Sequence, residues 1–274
     1  MKKDIIHFSH ANGFPAKSYQ AMFDALSEHY EIGYIETLAH NPSFPVSQNW
    51  PNLVDELIEH LQSTYHQPVI AVGHSFGAVL NYMVAQRRPD LIKQVILLDA
   101  PILERVGSLV VRFAKAMGFI DKITPAGRTQ GRQETWENQA QAIEYFKGKS
   151  LFRNVDSRCL LDYVRYGTEP IKGSGQNEGI QLRFKADTEV KIYRTLPHNL
   201  HRSYANLKVP GAMIYGRQSN VVRPFQVQYM RKSMGLYTSW LTGSHLFPLE
   251  CPEMTAQKIH QTIKKLATWQ APKV

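Results

Sequence analysis

Short apolar runs alternate along this chain with segments in which apolar residues recur every three or four positions. The runs predict buried strands and the periodic segments predict amphipathic helices. The predicted strands are residues 5–9, 31–36, 68–72, 95–98, 212–215 and 238–241. Strands that alternate with helices predict a parallel sheet with right-handed crossovers and helices on both faces. We therefore expect an α/β fold with a doubly wound, mostly parallel sheet of about six strands.

The alternation breaks down between Pro101 and about Asn206. Helical patterns there surround a Gly-rich stretch at 173–179 and a short extended piece at 180–184. We interpret this part as a mainly helical cap, inserted after the strand that ends at Asp99 and lying over the strand ends. The predicted domains are a core of residues 1–100 and 207–274 and a cap of residues 101–206.

One cap segment carries apolar residues at the spacing of an amphipathic helix. These residues are Val106, Leu109, Val110, Phe113, Met117 and Ile120. We expect this face to pack against the core domain. The alternatives are that it lines an apolar substrate pocket or docks on a membrane surface.

The pentapeptide Gly73–Gly77 has the pattern G-x-S-x-G and stands directly between a predicted strand and a predicted helix. This context indicates a nucleophile elbow, in which a strained turn exposes a serine hydroxyl at the end of a strand. Glycines two positions either side of Ser75 relieve crowding at such a turn. Ser75 is therefore the candidate nucleophile.

A serine hydroxyl is a poor nucleophile near neutral pH, so Ser75 requires a general base within hydrogen-bond reach. Of the 11 histidines, His245 lies just after the last predicted strand, within Gly243–Pro252. This segment matches G-x-H-x-x-x-x-E-x-P, the histidine loop of the α/β-hydrolase family, which the chain resembles over nearly its whole length. For the following histidines we expect structural or surface roles: His7, His29, His40, His60, His66, His198, His201 and His260.

The loop after the first strand, Ser9–Pro15, resembles the oxyanion loop of the same family. Backbone amides in such a loop stabilise the oxyanion that forms during acyl transfer. The resemblance implies one donor at Phe76, the residue after the nucleophile. The second donor is expected at Asn12 or Ala11 in preference to Phe14, and His10 is expected to brace the loop.

The acid of the expected Ser-His-acid triad departs from the commonest family pattern. Ser219 and Asn220 follow Gly216 where most members carry an aspartate, and neither can hold a negative charge. Asp99, at the end of the preceding predicted strand, is the expected substitute, as in some α/β-hydrolases. The alternatives are a structural role for Asp99, an acid from the cap such as Asp187 or Glu189, or no acid.

Composition limits which kinds of partner, cofactor and cellular compartment we expect. The formal charge is +9, but the basic residues are scattered singly, which argues against nucleic-acid binding. Two cysteines, Cys159 and Cys251, have no disulfide or metal-ligand spacing. No G-x-G-x-x-G follows the first strand, so we expect no nicotinamide cofactor. We also expect no metal. No apolar run of membrane-spanning length or signal-peptide core is present, so we expect a cytoplasmic protein without stable membrane insertion.

The resemblance implies a serine hydrolase that acts on a carboxylic ester or related acyl substrate through an acyl-enzyme, and we expect a carboxylesterase or lipase-like enzyme. A serine nucleophile separates the chain from dehalogenases and epoxide hydrolases of this fold, which use aspartate. Thioesterase, amidase, carbon-carbon hydrolase and hydroxynitrile lyase activities remain open because all could share Ser75, His245 and Asp99. A non-catalytic ligand-binding protein is the alternative from another class.

Overall fold

The computed structural model describes residues 3–171, 179–200 and 207–268. Most of the Gly-rich stretch predicted at 173–179, and His201, lie outside the described residues.

The described residues contain nine strands. In chain order they are β1 (Asp4–Ser9), β2 (Tyr30–Tyr34), β3 (Val69–His74), β4 (Ile92–Leu98), β5 (Thr135–Trp136), β6 (Thr168–Pro170), β7 (Ile180–Leu182), β8 (Gly211–Gly216) and β9 (Tyr237–Leu241). Six of them form one sheet in the order β2-β1-β3-β4-β8-β9, with every neighbouring pair parallel. The predicted fold class is confirmed.

Helices connect these strands on both faces of the sheet. In chain order they are α1 (Gln20–Ser27), α2 (Pro51–Thr64), α3 (Phe76–Arg87), α4 (Arg105–Ala116), α5 (Ile120–Ile123), α6 (Ala126–Thr129), α7 (Gln139–Lys147), α8 (Ser157–Gly167), α9 (Ala186–Arg194), α10 (Pro224–Ser233), α11 (Phe247–Glu250) and α12 (Pro252–Leu266). Among the helices so described, none combines the length and apolarity needed to cross a membrane.

Both faces of the sheet are buried, and successive residues of a strand pack into apolar clusters on opposite faces. On β3, Ile70 and Val72 join the apolar cluster on one face, whereas Val69 and Ala71 join the cluster on the other. All six residues of β3 are buried. Such burial on two faces explains why the central strands are continuous apolar runs rather than alternating patterns.

Residues between β4 and β8 form a second layer of short elements. They contain helices α4 to α9 and a separate antiparallel sheet in the order β5-β7-β6. This insertion begins directly after the strand that leads to Asp99, as the broken sequence pattern indicates. The exact domain boundaries stay predictions.

The predicted packing of the α4 apolar face against the core is wrong. The helix buries a narrow stripe of small and medium residues, Ser108, Val111 and Ala114. Among the six residues of the predicted face, Ile120 is buried, and the other five are exposed: Val106, Leu109, Val110, Phe113 and Met117. Small residues on the inner stripe allow close approach of the helix, so the larger apolar residues lie on the outer side.

Candidate active site

Ser75 occupies the sharp turn between β3 and α3. Its backbone has φ 52° and ψ −113°, outside the regions that a non-glycine residue normally adopts. The Ser75 amide donates to the Leu98 carbonyl at 2.9 Å, which ties the turn to the neighbouring strand. A Cβ at Gly73 would lie 2.7 Å from the Ala78 amide nitrogen, and one at Gly77 would collide with the Ser9 carbonyl. The two glycines of the motif are therefore sterically required.

His245 lies in the loop between β9 and α11, where the sequence places it. Its Nε2 is 3.0 Å from Ser75 Oγ, close enough to accept the hydroxyl proton. Glu250 closes this loop, because its carboxylate accepts from the Ser244 amide at 2.8 Å and also from the Ser244 hydroxyl. The side chain of His245 is 21% exposed.

Asp99 directly follows β4 and faces the other nitrogen of the imidazole. Its Oδ2 is 2.7 Å from His245 Nδ1, and its side chain is fully buried. Its Oδ1 accepts from the Gly216 amide at 2.9 Å. The φ of Asp99 is 46°, a left-handed conformation that turns its carboxylate towards the histidine loop. Residues from three strand ends therefore form one continuous contact chain from Ser75 to Asp99.

Ser219, at the position where most relatives were expected to carry the acid, contacts the same carboxylate. Its hydroxyl donates to Asp99 Oδ2 at 2.5 Å. The amides of Val221 and Val222 donate to Ser219 Oγ at 3.1 and 3.3 Å, so the serine's own proton is left for Asp99. Sequence reasoning noted the missing charge here but did not predict this supporting hydrogen bond.

The two cap acids considered as alternatives lie elsewhere. Glu189 on α9 is buried, and its carboxylate is 2.7 Å from Arg132 Nη1 and accepts from the Thr129 hydroxyl at 3.2 Å. Burial raises the pKa of Glu189, and Arg132 opposes that shift. Asp187 is exposed at the start of the same helix. Within the described residues, neither carboxylate contacts His245.

The loop after β1 lies beside the elbow. The Gly77 amide donates to the His10 carbonyl at 3.1 Å, which fixes the distance between loop and helix α3. The Phe14 amide donates to the Ala11 carbonyl at 3.1 Å, and the Ala11 amide makes a long contact of 3.4 Å to the Tyr19 hydroxyl. The amides of Asn12, Gly13 and Phe76 are among those of this region that donate to no acceptor among the residues that the structure describes.

Side-chain contacts hold the loop from both sides. His10 is buried; its Nε2 accepts from the Leu38 amide at 2.8 Å and its Nδ1 donates to the Ala11 carbonyl at 2.8 Å. Burial lowers the pKa of His10 to about 4, so its ring is neutral near pH 7. Asn12 Nδ2 donates to the Glu189 carbonyl at 3.1 Å, which anchors the loop to helix α9. His10 contacts loop backbone, as expected of a brace.

His74, the residue before the nucleophile, has a role that sequence reasoning did not identify. Its Nδ1 accepts from the Tyr19 hydroxyl at 2.7 Å, and its Nε2 donates to the His245 carbonyl at 2.9 Å. Burial and the nearby His245 lower the pKa of His74 well below its usual value, so the ring is neutral. A neutral imidazole can donate at one nitrogen and accept at the other. His74 thus links the β1 loop region to the histidine loop.

The site offers side chains for acid-base and nucleophilic chemistry. In the portion of the chain that the structure covers, no three His, Cys, Asp or Glu side chains gather in a geometry that could hold a metal ion. Near Ser75, two buried side-chain atoms, Asn12 Oδ1 and Asn81 Nδ2, have no hydrogen-bond partner among the described residues.

A family model described as the alpha/beta hydrolase family matches residues 8–258. A type I acyl-CoA thioesterase from Penicillium roqueforti is 25% identical over 182 residues, which cover 60% of this chain and 40% of that protein. An (E)-2-((N-methylformamido)methylene)succinate hydrolase from Acinetobacter baylyi is 27% identical over 132 residues, covering 46% of this chain and 50% of that one. The chain thus matches half or less of the length of either relative.

Solved structures share the fold at lower identity. The crystal structure of an E-2-(acetamidomethylene)succinate hydrolase has a TM-score of 0.75 and 19% identity, covering 96% of this chain and 92% of that chain. A thioesterase domain from the curacin biosynthetic pathway has a TM-score of 0.71 and 17% identity, covering 94% and 91%. At this identity, the similarity to these structures supports only the fold, whereas the family model matches most of the sequence. The chain therefore belongs to the alpha/beta hydrolase family.

Proposed function

We propose that this protein is a serine hydrolase that cleaves a carboxylic ester or a related acyl substrate through an acyl-enzyme at Ser75. The observation that carries the proposal is the unbroken contact chain from Ser75 Oγ to His245, 3.0 Å, and from His245 to Asp99, 2.7 Å. The strained backbone at Ser75 supports it, because strain of this kind persists where a function depends on it.

In the proposed reaction, His245 Nε2 removes the hydroxyl proton as Ser75 Oγ attacks the substrate carbonyl. The imidazolium that forms is stabilised by Asp99, whose buried carboxylate accepts a hydrogen bond from the Nδ1–H group and stays ionised. His245 then gives its proton to the leaving oxygen, and the acyl group stays on Ser75. Water then attacks the acyl carbonyl as His245 Nε2 takes one of its protons. The bond between the acyl carbon and Ser75 Oγ breaks, His245 returns the proton to Oγ, and the acid is released.

The oxyanion in both steps is stabilised by the amides of Phe76 and Asn12. These two amides are favoured because they lack an acceptor within the described residues, whereas the Phe14 amide already donates to Ala11. The Ala11 amide, the other candidate, is partly engaged by Tyr19 at 3.4 Å. One such donor typically contributes about 3 kcal/mol to transition-state stabilisation.

A thioester is the second candidate substrate. The relative named a type I acyl-CoA thioesterase and the structural neighbour named a thioesterase domain support it. An amide stays open as well, because the named substrates of the two succinate hydrolases carry an N-methylformamido or an acetamido group. The same three residues serve either leaving group, and a thiolate needs less help from a proton donor than an alkoxide does. The carboxylesterase or lipase-like specificity and the cytoplasmic location stay predictions.

The test is a panel of p-nitrophenyl esters of increasing chain length, acyl-CoA thioesters and p-nitroanilides, assayed with the native protein and with Ser75→Ala. We expect turnover of at least one ester or thioester, and a loss in kcat of at least about 10³-fold in the variant. Ligand binding with no turnover in the native protein would instead support the non-catalytic alternative. Equal turnover by Ser75→Ala would contradict the proposal.

A further inference from the structure

The helix α4 turns its apolar side to solvent. Leu109, Val110 and Phe113 are 57%, 50% and 59% exposed, and Val106 and Met117, at the two ends of the row, are 67% and 62% exposed. At helical spacing these five side chains form one continuous stripe. A single exposed apolar residue is ordinary, but a contiguous stripe marks an interaction surface.

The orientation of α4 is held by contacts on its other side. Glu104 caps the helix by accepting from the Gly107 amide at 2.8 Å. Lys115 Nζ donates to the Leu196 carbonyl at 2.6 Å and to Gln48 Oε1 at 3.0 Å. Rolling the helix to bury the stripe would break these bonds. The stripe therefore belongs to the outer surface of the folded protein.

Basic residues border the stripe. Arg105 and Arg112 are exposed and stand two helical turns apart along one edge of it, and the exposed Lys122 follows in α5. The two acidic residues of this stretch are engaged locally: Glu104 in the helix cap, and Asp121 with Arg194 at 2.6 Å. Residues 101–205 as a whole carry 17 Lys and Arg against 11 Asp and Glu. The surface combines an apolar strip with positive charge.

The positive charge along the stripe indicates which kind of partner binds this surface. In a two-fold dimer built on the stripe, the same patch of each copy would face itself, and the bordering arginines would meet like charges. An anionic bilayer instead complements both parts of the surface, because its acyl chains suit the apolar residues and its negative headgroups attract Arg105 and Arg112. An amphipathic helix with a basic edge is suited to lie in the plane of such an interface.

We propose that the exposed stripe of α4 docks this protein peripherally on anionic lipid bilayers. The apolar side chains of Leu109 and Phe113 enter the boundary between headgroups and acyl chains. Arg105 and Arg112 extend their charged ends towards the phosphates. This proposal does not depend on the proposed catalytic function, since it concerns a surface and no reaction.

The test is flotation of the intact protein with vesicles of phosphatidylcholine alone and with equimolar phosphatidylcholine and phosphatidylglycerol. We expect binding to the anionic vesicles that weakens as salt is added, and little binding to the neutral ones. Leu109→Gln/Phe113→Gln should lower the partition coefficient at least about tenfold. Arg105→Gln/Arg112→Gln should lower it about fivefold for each arginine on anionic vesicles.

The matched control is Leu161→Gln, which removes a side chain of α8 that is 49% exposed, similar to those of the stripe. It should bind vesicles as the native protein does. Circular dichroism and thermal melting verify that all variants fold. Failure of the native protein to bind anionic vesicles, or equal losses in Leu161→Gln and the stripe variant, would overturn the proposal. So would light scattering that finds a native dimer which Leu109→Gln/Phe113→Gln converts to a monomer.

Discussion

The supporting position of Ser219 makes a relocation of the acid testable. Ser219 Oγ is 2.5 Å from the Asp99 oxygen that lies 2.7 Å from His245 Nδ1, so it is within about 5 Å of that nitrogen. Aspartate is one heavy atom longer than serine, and its carboxylate would reach towards the imidazole. Asp99→Ser/Ser219→Asp therefore exchanges the acid and its hydroxyl partner between the two strand ends.

The magnitudes follow from the contacts. Asp99→Ser alone removes the partner of the imidazolium and should lower kcat by about 10⁴-fold. Ser219→Asp alone places two carboxylates within contact distance, which raises the pKa of one of them and should also lower activity. In the exchange variant only one carboxylate is present, and the Val221 and Val222 amides that now donate to Ser219 can donate to it. We expect at least about 100-fold recovery over Asp99→Ser, about 2.7 kcal/mol.

The assay is kcat on the best ester or thioester from the substrate panel, with circular dichroism as the check on folding. The matched control is Asp99→Ser/Asn220→Asp, which adds the same charge at the adjacent exposed position and should recover nothing. If the exchange variant folds but is no more active than Asp99→Ser, the reasoning that Ser219 and Asp99 share one acid site is refuted.

Three further predictions concern buried side chains that carry polar groups. Glu189→Gln leaves the buried guanidinium of Arg132 without its carboxylate and should lower the unfolding free energy by about 3 kcal/mol. The kcat on esters should stay within a few-fold of native, and a loss as large as that of Asp99→Ser would contradict this. Burial raises the pKa of Glu56 to about 7, although a hydrogen bond from the Ala39 amide opposes this shift. The folded state therefore favours the protonated carboxyl group, and the stability that this group contributes is complete in acid and lost as pH rises towards 7. Glu56→Gln should thus gain little near pH 4 and about 3 kcal/mol by about pH 8 in denaturant titrations, and a pH-independent difference would refute this. Tyr19→Phe removes the donor to buried His74 Nδ1 and should cost about 1–3 kcal/mol in the same titrations, whereas an unchanged midpoint would contradict it.

The fold class follows from the sequence because it depends on periodicity. Buried strands such as β3 contain an uninterrupted apolar run, here Val69 to Val72, and helices such as α2 carry one apolar face, so their alternation can be recognised without coordinates. The approach of Ser75, His245 and Asp99 follows from topology, since each stands at the carboxyl end of a parallel strand or just beyond it. Their catalytic roles stay predictions.

Other features depend on three-dimensional contacts that no local pattern encodes. Ser219 lacks charge, and only the structure gives the direction in which its hydroxyl donates. His74 is one of 11 histidines, and nothing in its spacing indicates that its ring bridges Tyr19 and the His245 carbonyl. The period of α4 predicts that one face is apolar but not whether protein or solvent covers that face.

The central claim is that Ser75 forms a covalent intermediate. The most direct measurement is intact-protein mass spectrometry after treatment with a fluorophosphonate, followed by peptide mapping, on the native protein and on folded Ser75→Ala. We predict one phosphonyl adduct per chain on the native protein, located at Ser75, and none on the variant. A native protein that stays unmodified, or a variant that is modified equally, would contradict the account.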